Sequence, residues 1–92
     1  MLFMVVERFT PEGAKPIYRR VRREGRMLPD GLRYVDSWVR ADLEGCFQLM
    51  ECDDVEPLQE WIAGWRDLAE FEVFPVTPSS VTADLMSRLD PD

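Results

Sequence analysis

The segment Leu32-Arg33-Tyr34-Val35-Asp36-Ser37-Trp38-Val39-Arg40-Ala41-Asp42-Leu43-Glu44-Gly45-Cys46-Phe47-Gln48-Leu49-Met50-Glu51-Cys52 decides the fold. Its first half, Leu32 to Ala41, carries Tyr34, Val35, Trp38 and Val39, residue types that fit a pleated surface. Asp42 to Gly45 makes a short connection with a glycine suited to positive φ, and Cys46 to Cys52 reads as the next strand. The two runs predict a β-hairpin.

Helical periodicity flanks the hairpin on both sides. Upstream, past the turn cluster Met27-Leu28-Pro29-Asp30-Gly31, the residues Ala14, Ile17, Tyr18 and Val21 fall at i, i+3, i+4 and i+7 with arginines between them. Pro16 suits the first turn of that helix and Gly25 its end. Downstream, Asp53 stands three residues before Glu56 in the pattern of a capping box, Pro57 is tolerated in the first turn, and Val55, Leu58, Ile62, Trp65 and Leu68 recur at helical spacing. Trp61, four residues before Trp65, extends the stripe. Beyond the helices lie two more extended runs. Leu2 to Phe9 is apolar on both alternating faces, as in a central strand, and Pro11-Glu12-Gly13 ends it; Phe71 to Val76 alternates with Glu70 and Glu72. Pro78-Ser79-Ser80 then precedes a short C-terminal helix, Val81 to Leu89.

Strand, helix, strand, strand, helix, strand is the βαββαβ, ferredoxin-like order of the α+β class. It predicts a four-stranded antiparallel sheet with both helices on one face, in a single domain over residues 1–92. The other face would be bare, roughly 20 Å by 19 Å or about 400 Å² in plan, near the upper limit for a monomer's apolar patch. Pairing with a second copy buries that patch on both partners, so a homodimer is expected.

Composition narrows the setting. A chain of 92 residues with 46% apolar content can bury one core. The opening apolar run Met1 to Val6 is cut by Glu7 and Arg8 before a membrane span or a signal-peptide core is complete. Cys46 and Cys52, six apart on one strand, would stand about 20 Å apart, beyond disulfide reach. Reduced thiols and no export signal point to the cytoplasm. A net charge of −7 disfavours nucleic acid. The exception is Lys15 to Arg26, where Lys15, Arg19, Arg20, Arg22, Arg23 and Arg26 face Glu24 alone; removing this +5 from −7 leaves −12 on the remainder. Such a segment could steer an acidic partner, or simply be a solvated helix face.

The block Gly25-Arg26-Met27-Leu28-Pro29-Asp30-Gly31-Leu32-Arg33-Tyr34-Val35-Asp36-Ser37-Trp38-Val39, continuing through Cys46-Phe47-Gln48-Leu49-Met50-Glu51-Cys52-Asp53, resembles an uncharacterised family of small bacterial proteins filed as a domain of unknown function. The resemblance spans about Met1 to Val76 and implies the dimeric α/β-barrel superfamily of ferredoxin-like folds, but no activity. That superfamily includes cofactor-independent monooxygenases, haem-dependent chlorite dismutases, muconolactone isomerases and ligand-sensing domains of transcription regulators. The chain has no histidine, so it lacks the proximal ligand of the haem members. It has no asparagine either, and so departs from the monooxygenases, which tend to combine Asn with Trp and Tyr.

Without histidine there is no Ser-His or Cys-His pair and no imidazole metal site; phosphate-loop and zinc spacings are also missing, and no cofactor or metal is expected. Strand parity puts Tyr34, Asp36 and Trp38 on one face and Val35, Ser37 and Val39 on the other. The expectation is that the first set lines the space between sheet and partner, with Gln48 and Met50 of the third strand and Glu72 and Phe74 of the fourth. Arg8 would reach the same space to pair with Asp36 or Glu72, or to hold an anion. This predicts a small-molecule site there, against the plainer reading of side chains hydrogen-bonding across the dimer interface. The alternative is a cofactor-independent monooxygenase- or isomerase-like enzyme on a small aromatic substrate, with a desolvated Asp36 as base and Tyr34 and Trp38 as positioners. A second alternative is a structural or regulatory interaction module using the basic helix. Trp61 and Trp65 are expected in the core, both cysteines as small apolar residues, and Arg26 as a cap on the preceding helix.

Overall fold

A computed structural model describes all residues from Met1 to Asp92. The elements are β1 (Leu2–Phe9), α1 (Ala14–Glu24), β2 (Arg33–Val39), β3 (Gly45–Glu51), α2 (Glu56–Trp65), β4 (Ala69–Val76) and α3 (Ser79–Leu89). The sheet has the order β2-β3-β1-β4 with every neighbouring pair antiparallel, so β1, apolar on both faces, is central. This is the ferredoxin-like arrangement expected from the order of elements.

Residues opposite one another in an antiparallel pair share a face. Phe3, Val5 and Glu7 of β1 therefore lie on one side with Met50, Gln48 and Cys46 of β3 and with Pro75, Val73 and Phe71 of β4. Helix α2 covers this side through Leu58, Trp61 and Trp65, which with Phe3, Val5, Leu32, Met50 and Cys52 form the core. Trp61 meets Phe71 edge-on at 5.8 Å, and its indole N–H and that of Trp65 both donate to the Arg26 carbonyl, at 2.9 and 3.1 Å. Helix α1 lays Ile17 and Val21 against the core, and Arg20 ties it to the end of α2 by a two-pronged hydrogen bond to Asp67, at 3.0 and 2.6 Å.

Three local expectations change. The Asp53 side chain does not cap α2: Val55 holds the N-cap position and no side chain bonds there, although Pro57 does occupy the first turn. In the hairpin, the positive φ falls on Leu43 (64°), not Gly45. Gly45 is needed for space, because a Cβ there would collide with the Glu7 carbonyl oxygen and the Arg40 side chain.

The largest change is in β2. Tyr34 pairs with Met50, but Asp36 pairs with Leu49, so Val35 is an extra residue in a β-bulge. Alternation is interrupted and parity inverts across it. Tyr34 goes to the helix-covered side and Asp36 and Trp38 to the open side, while Ser37 and Val39 join Tyr34 by pairing with Gln48 and Cys46. The shared face expected for Tyr34, Asp36 and Trp38 does not exist.

Candidate functional site

Register decides what each face can do chemically. On the open face Asp36, Trp38, Arg8 and Glu72 are all exposed, among Phe47, Phe74, Met4, Val6 and Leu49. The Asp36 carboxylate accepts the N–H of neighbouring Ser37 at 2.8 Å, a local contact that stabilises the bulge. Arg8 lies 3.7 Å from Glu70, its cross-strand neighbour, rather than from Asp36 or Glu72. The other three expected site residues are on the far side: Met50 is fully buried in the core, and Gln48 and Tyr34 are half-buried beneath the helices. The eight residues expected to converge, Phe74 included, are thus divided, five and three, by the thickness of the sheet.

The helix-covered face holds a cavity of about 100 Å³. Its floor is Glu7 of β1, Ser37 and Val39 of β2, and Cys46 and Gln48 of β3; Ile17, Tyr18 and Val21 of α1, Trp61 and Trp65 of α2, Phe9 and Arg26 enclose it. Tyr18 and Val39 are each 42% exposed, so the cavity reaches the surface between α1 and β2.

Glu7 is the polar centre of this space. It follows Phe3 and Val5 on the inward face of the central strand and is only 6% exposed. The Gln48 side-chain amide donates to Glu7 Oε2, and the Cys46 thiol is a second donor. Desolvation of the charged form outweighs both, and the more distant positive charge of Arg26, and pushes the carboxyl above its ordinary 4.5. The same burial, with the neighbouring Glu7 carboxylate, pushes the Cys46 thiol up to about 12, so it is a hydrogen-bond donor and not a thiolate nucleophile. Gln48 Oε1, buried beside this pair, has no hydrogen-bond partner. A buried acceptor left unpaired costs about 1–3 kcal/mol.

Arg26 completes the wall. Its guanidinium lies 3.7 Å from the centroid of the Tyr34 ring, and the Tyr34 hydroxyl is 2.7 Å from Ser37 Oγ. The side chain therefore stacks on an aromatic face rather than capping α1, where the Gly25 backbone N–H bonds the Val21 carbonyl. No three Asp, Glu or Cys side chains come together as a metal site. Glu7 was legible as a site residue in one respect only: it continues the odd-numbered face of a strand that reads as buried on both sides.

A half-covered βαββαβ sheet with a polar-floored cavity under its helices defines a small α+β domain of the ferredoxin-like type. The family described as a domain of unknown function, DUF3303, matches residues 1–90, and the chain belongs to it. Among curated proteins and solved structures nothing matches significantly. No helix is long and apolar enough to cross a membrane.

Proposed function

We propose that the protein binds a small, largely apolar molecule bearing a hydroxyl or N–H group in the cavity between α1, α2 and the sheet, with Glu7 and Gln48 as its polar anchors. The observation that carries this reading is a buried carboxyl paired to an amide whose own oxygen lacks a donor, inside a cavity walled by aromatic and aliphatic side chains. A ligand N–H or O–H supplied to Gln48 Oε1 would satisfy it. A volume near 100 Å³ takes roughly a single six-membered ring, since an engineered cavity of about 150 Å³ accepts benzene. Trp61 and Trp65 line the space and report on it. Phenol should perturb their fluorescence in the natural chain, and Val21→Trp, which fills the cavity, should abolish the response. An unchanged signal at millimolar probe would remove the proposal.

A second reading keeps the same cavity but makes the protein a cofactor-independent enzyme on a small aromatic compound, with Glu7 in place of Asp36 as the proton-transfer group. It is supported by the elevated pKa of Glu7, which poises a carboxyl for acid–base work nearer neutrality. Glu7→Gln would then abolish turnover while leaving probe binding within a fewfold.

The open face supports a homodimer. Trp38, Phe47 and Phe74 are 51%, 37% and 48% exposed on one surface with Met4, Val6 and Leu49. Element order, one-sided helical cover and the resemblance to small bacterial proteins together favour the dimeric α/β-barrel superfamily. Two buried free cysteines suit a reducing cytoplasm.

A further inference from the structure

Helix α3 follows β4 after only Thr77 and Pro78, and none of its residues is buried. The molecule is 52 Å in its longest dimension. That length is what a strand of about 26 Å, followed end to end by a helix of about 16 Å and their link, requires. So α3 projects from the sheet instead of folding back on it. Val81, Leu85, Met86 and Leu89 nonetheless fall on one side of the helix, and each is 40–68% exposed.

Such a helix has little reason to stand alone. Eleven residues is below the length at which isolated helices persist in water, its first turns contain Ser79, Ser80, Val81 and Thr82, all modest helix formers, and no side chain caps its start. Its stability must come from burying the Val81–Leu89 stripe against another surface.

We infer that α3 is an exchanged arm: in the homodimer it lies across the second copy at the margin of the sheet-face contact, and the partner's α3 does the same in return. This rests on the sheet-face dimer proposed above. The areas favour a second copy over an unrelated occupant. A sheet face of about 450 Å² in plan, used alone, leaves both α3 stripes bare beside it. Adding the α3 stripe, and the patch that the partner's stripe covers, extends each share to about 750 Å² in plan, on the scale of a stable interface. Because the exchange is reciprocal, two-fold symmetry closes it and leaves neither apolar surface open.

The test uses the full chain, the double variant Leu85→Glu/Leu89→Glu and the sheet-face variant Phe47→Glu, followed by sedimentation equilibrium and amide hydrogen exchange. The α3 variant should weaken the dimer roughly ten-thousandfold or more, as loss of four buried leucines across two protomers implies. The α3 amides of the natural chain should be protected only at concentrations where the dimer forms. If the α3 variant dimerises within twofold of the natural chain while Phe47→Glu is monomeric, the arm is wrong and the sheet-face dimer stands. A natural chain still monomeric at about 0.1 mM, far weaker than interfaces of standard size, overturns the dimer and the arm together.

Discussion

The two faces of one sheet are built from adjacent residues of the same strands yet differ in chemistry. Beneath the helices, apolar packing encloses a carboxyl, an amide and a thiol; on the bare side, aromatic side chains share the surface with charges that water already satisfies. Burial makes polar groups chemically distinctive, because only where water is excluded do a carboxyl's proton and an unpaired carbonyl oxygen carry a large free-energy consequence. Asp36 and Glu7 are both acidic residues on strands. Glu7 alone has been removed from water.

The sharpest way to break this contrast is to collapse the covered side. Leu58→Ala, which empties a fully buried position, should cost about 2–5 kcal/mol in urea unfolding. Phe47→Glu, at 37% exposure on the bare face, should leave the unfolding free energy of the monomer within roughly 0.5 kcal/mol. Equal costs at the two positions would mean that the faces are not distinct in the folded monomer.

Glu7→Gln probes the buried charge itself. Its folded pKa lies above the unfolded 4.5, so the native state binds more protons, and this group's contribution is full below 4.5 and declines as pH rises through the folded value. The natural chain minus Glu7→Gln difference should therefore fall with pH across that interval, making the variant the more stable of the two at pH 7. Taking the difference is essential. Glu51 and Asp67, held below their ordinary values chiefly by hydrogen bonds from Arg33 and Arg20, bias the raw profile in the opposite direction. A flat difference would place Glu7 in contact with water.

Tyr34→Phe tests the bulge that sends Tyr34 inward. Losing the hydroxyl contact with Ser37 should cost about 0.5–1.5 kcal/mol. The smallest effect is expected at Asp36→Asn, which retains an acceptor for the Ser37 N–H on an exposed strand: under about 0.5 kcal/mol, with no change in the tryptophan response to phenol. A lost response would return the site to the open face.

Much of the architecture was legible because it depends on patterns that repeat. The stripe Leu58, Trp61, Trp65 is visible at helical spacing whatever it packs against, and β1 reads as central from its apolar residues on both faces. The site was less so. Gln48, Tyr34 and Met50 stand out by type, but local pattern puts them on the open side, while Glu7 reads only as the end of an apolar run and Cys46 as a small apolar residue. Parity counting along a strand gives relative facing only: the extra residue at Val35 separates Tyr34 from Asp36 and Trp38, and the side taken by Gln48 and Met50 is set by the register of β3 against β1.

The amino-acid sequence by itself determined the order of elements, the two amphipathic helices and the surplus of apolar surface, since each follows from local spacing and composition. Only the tertiary structure decided which face each side chain takes and which carboxyl is dry. Cross-strand register places Glu7 opposite Cys46 and beside Gln48 across 41 residues of chain, and local pattern contains no record of that meeting.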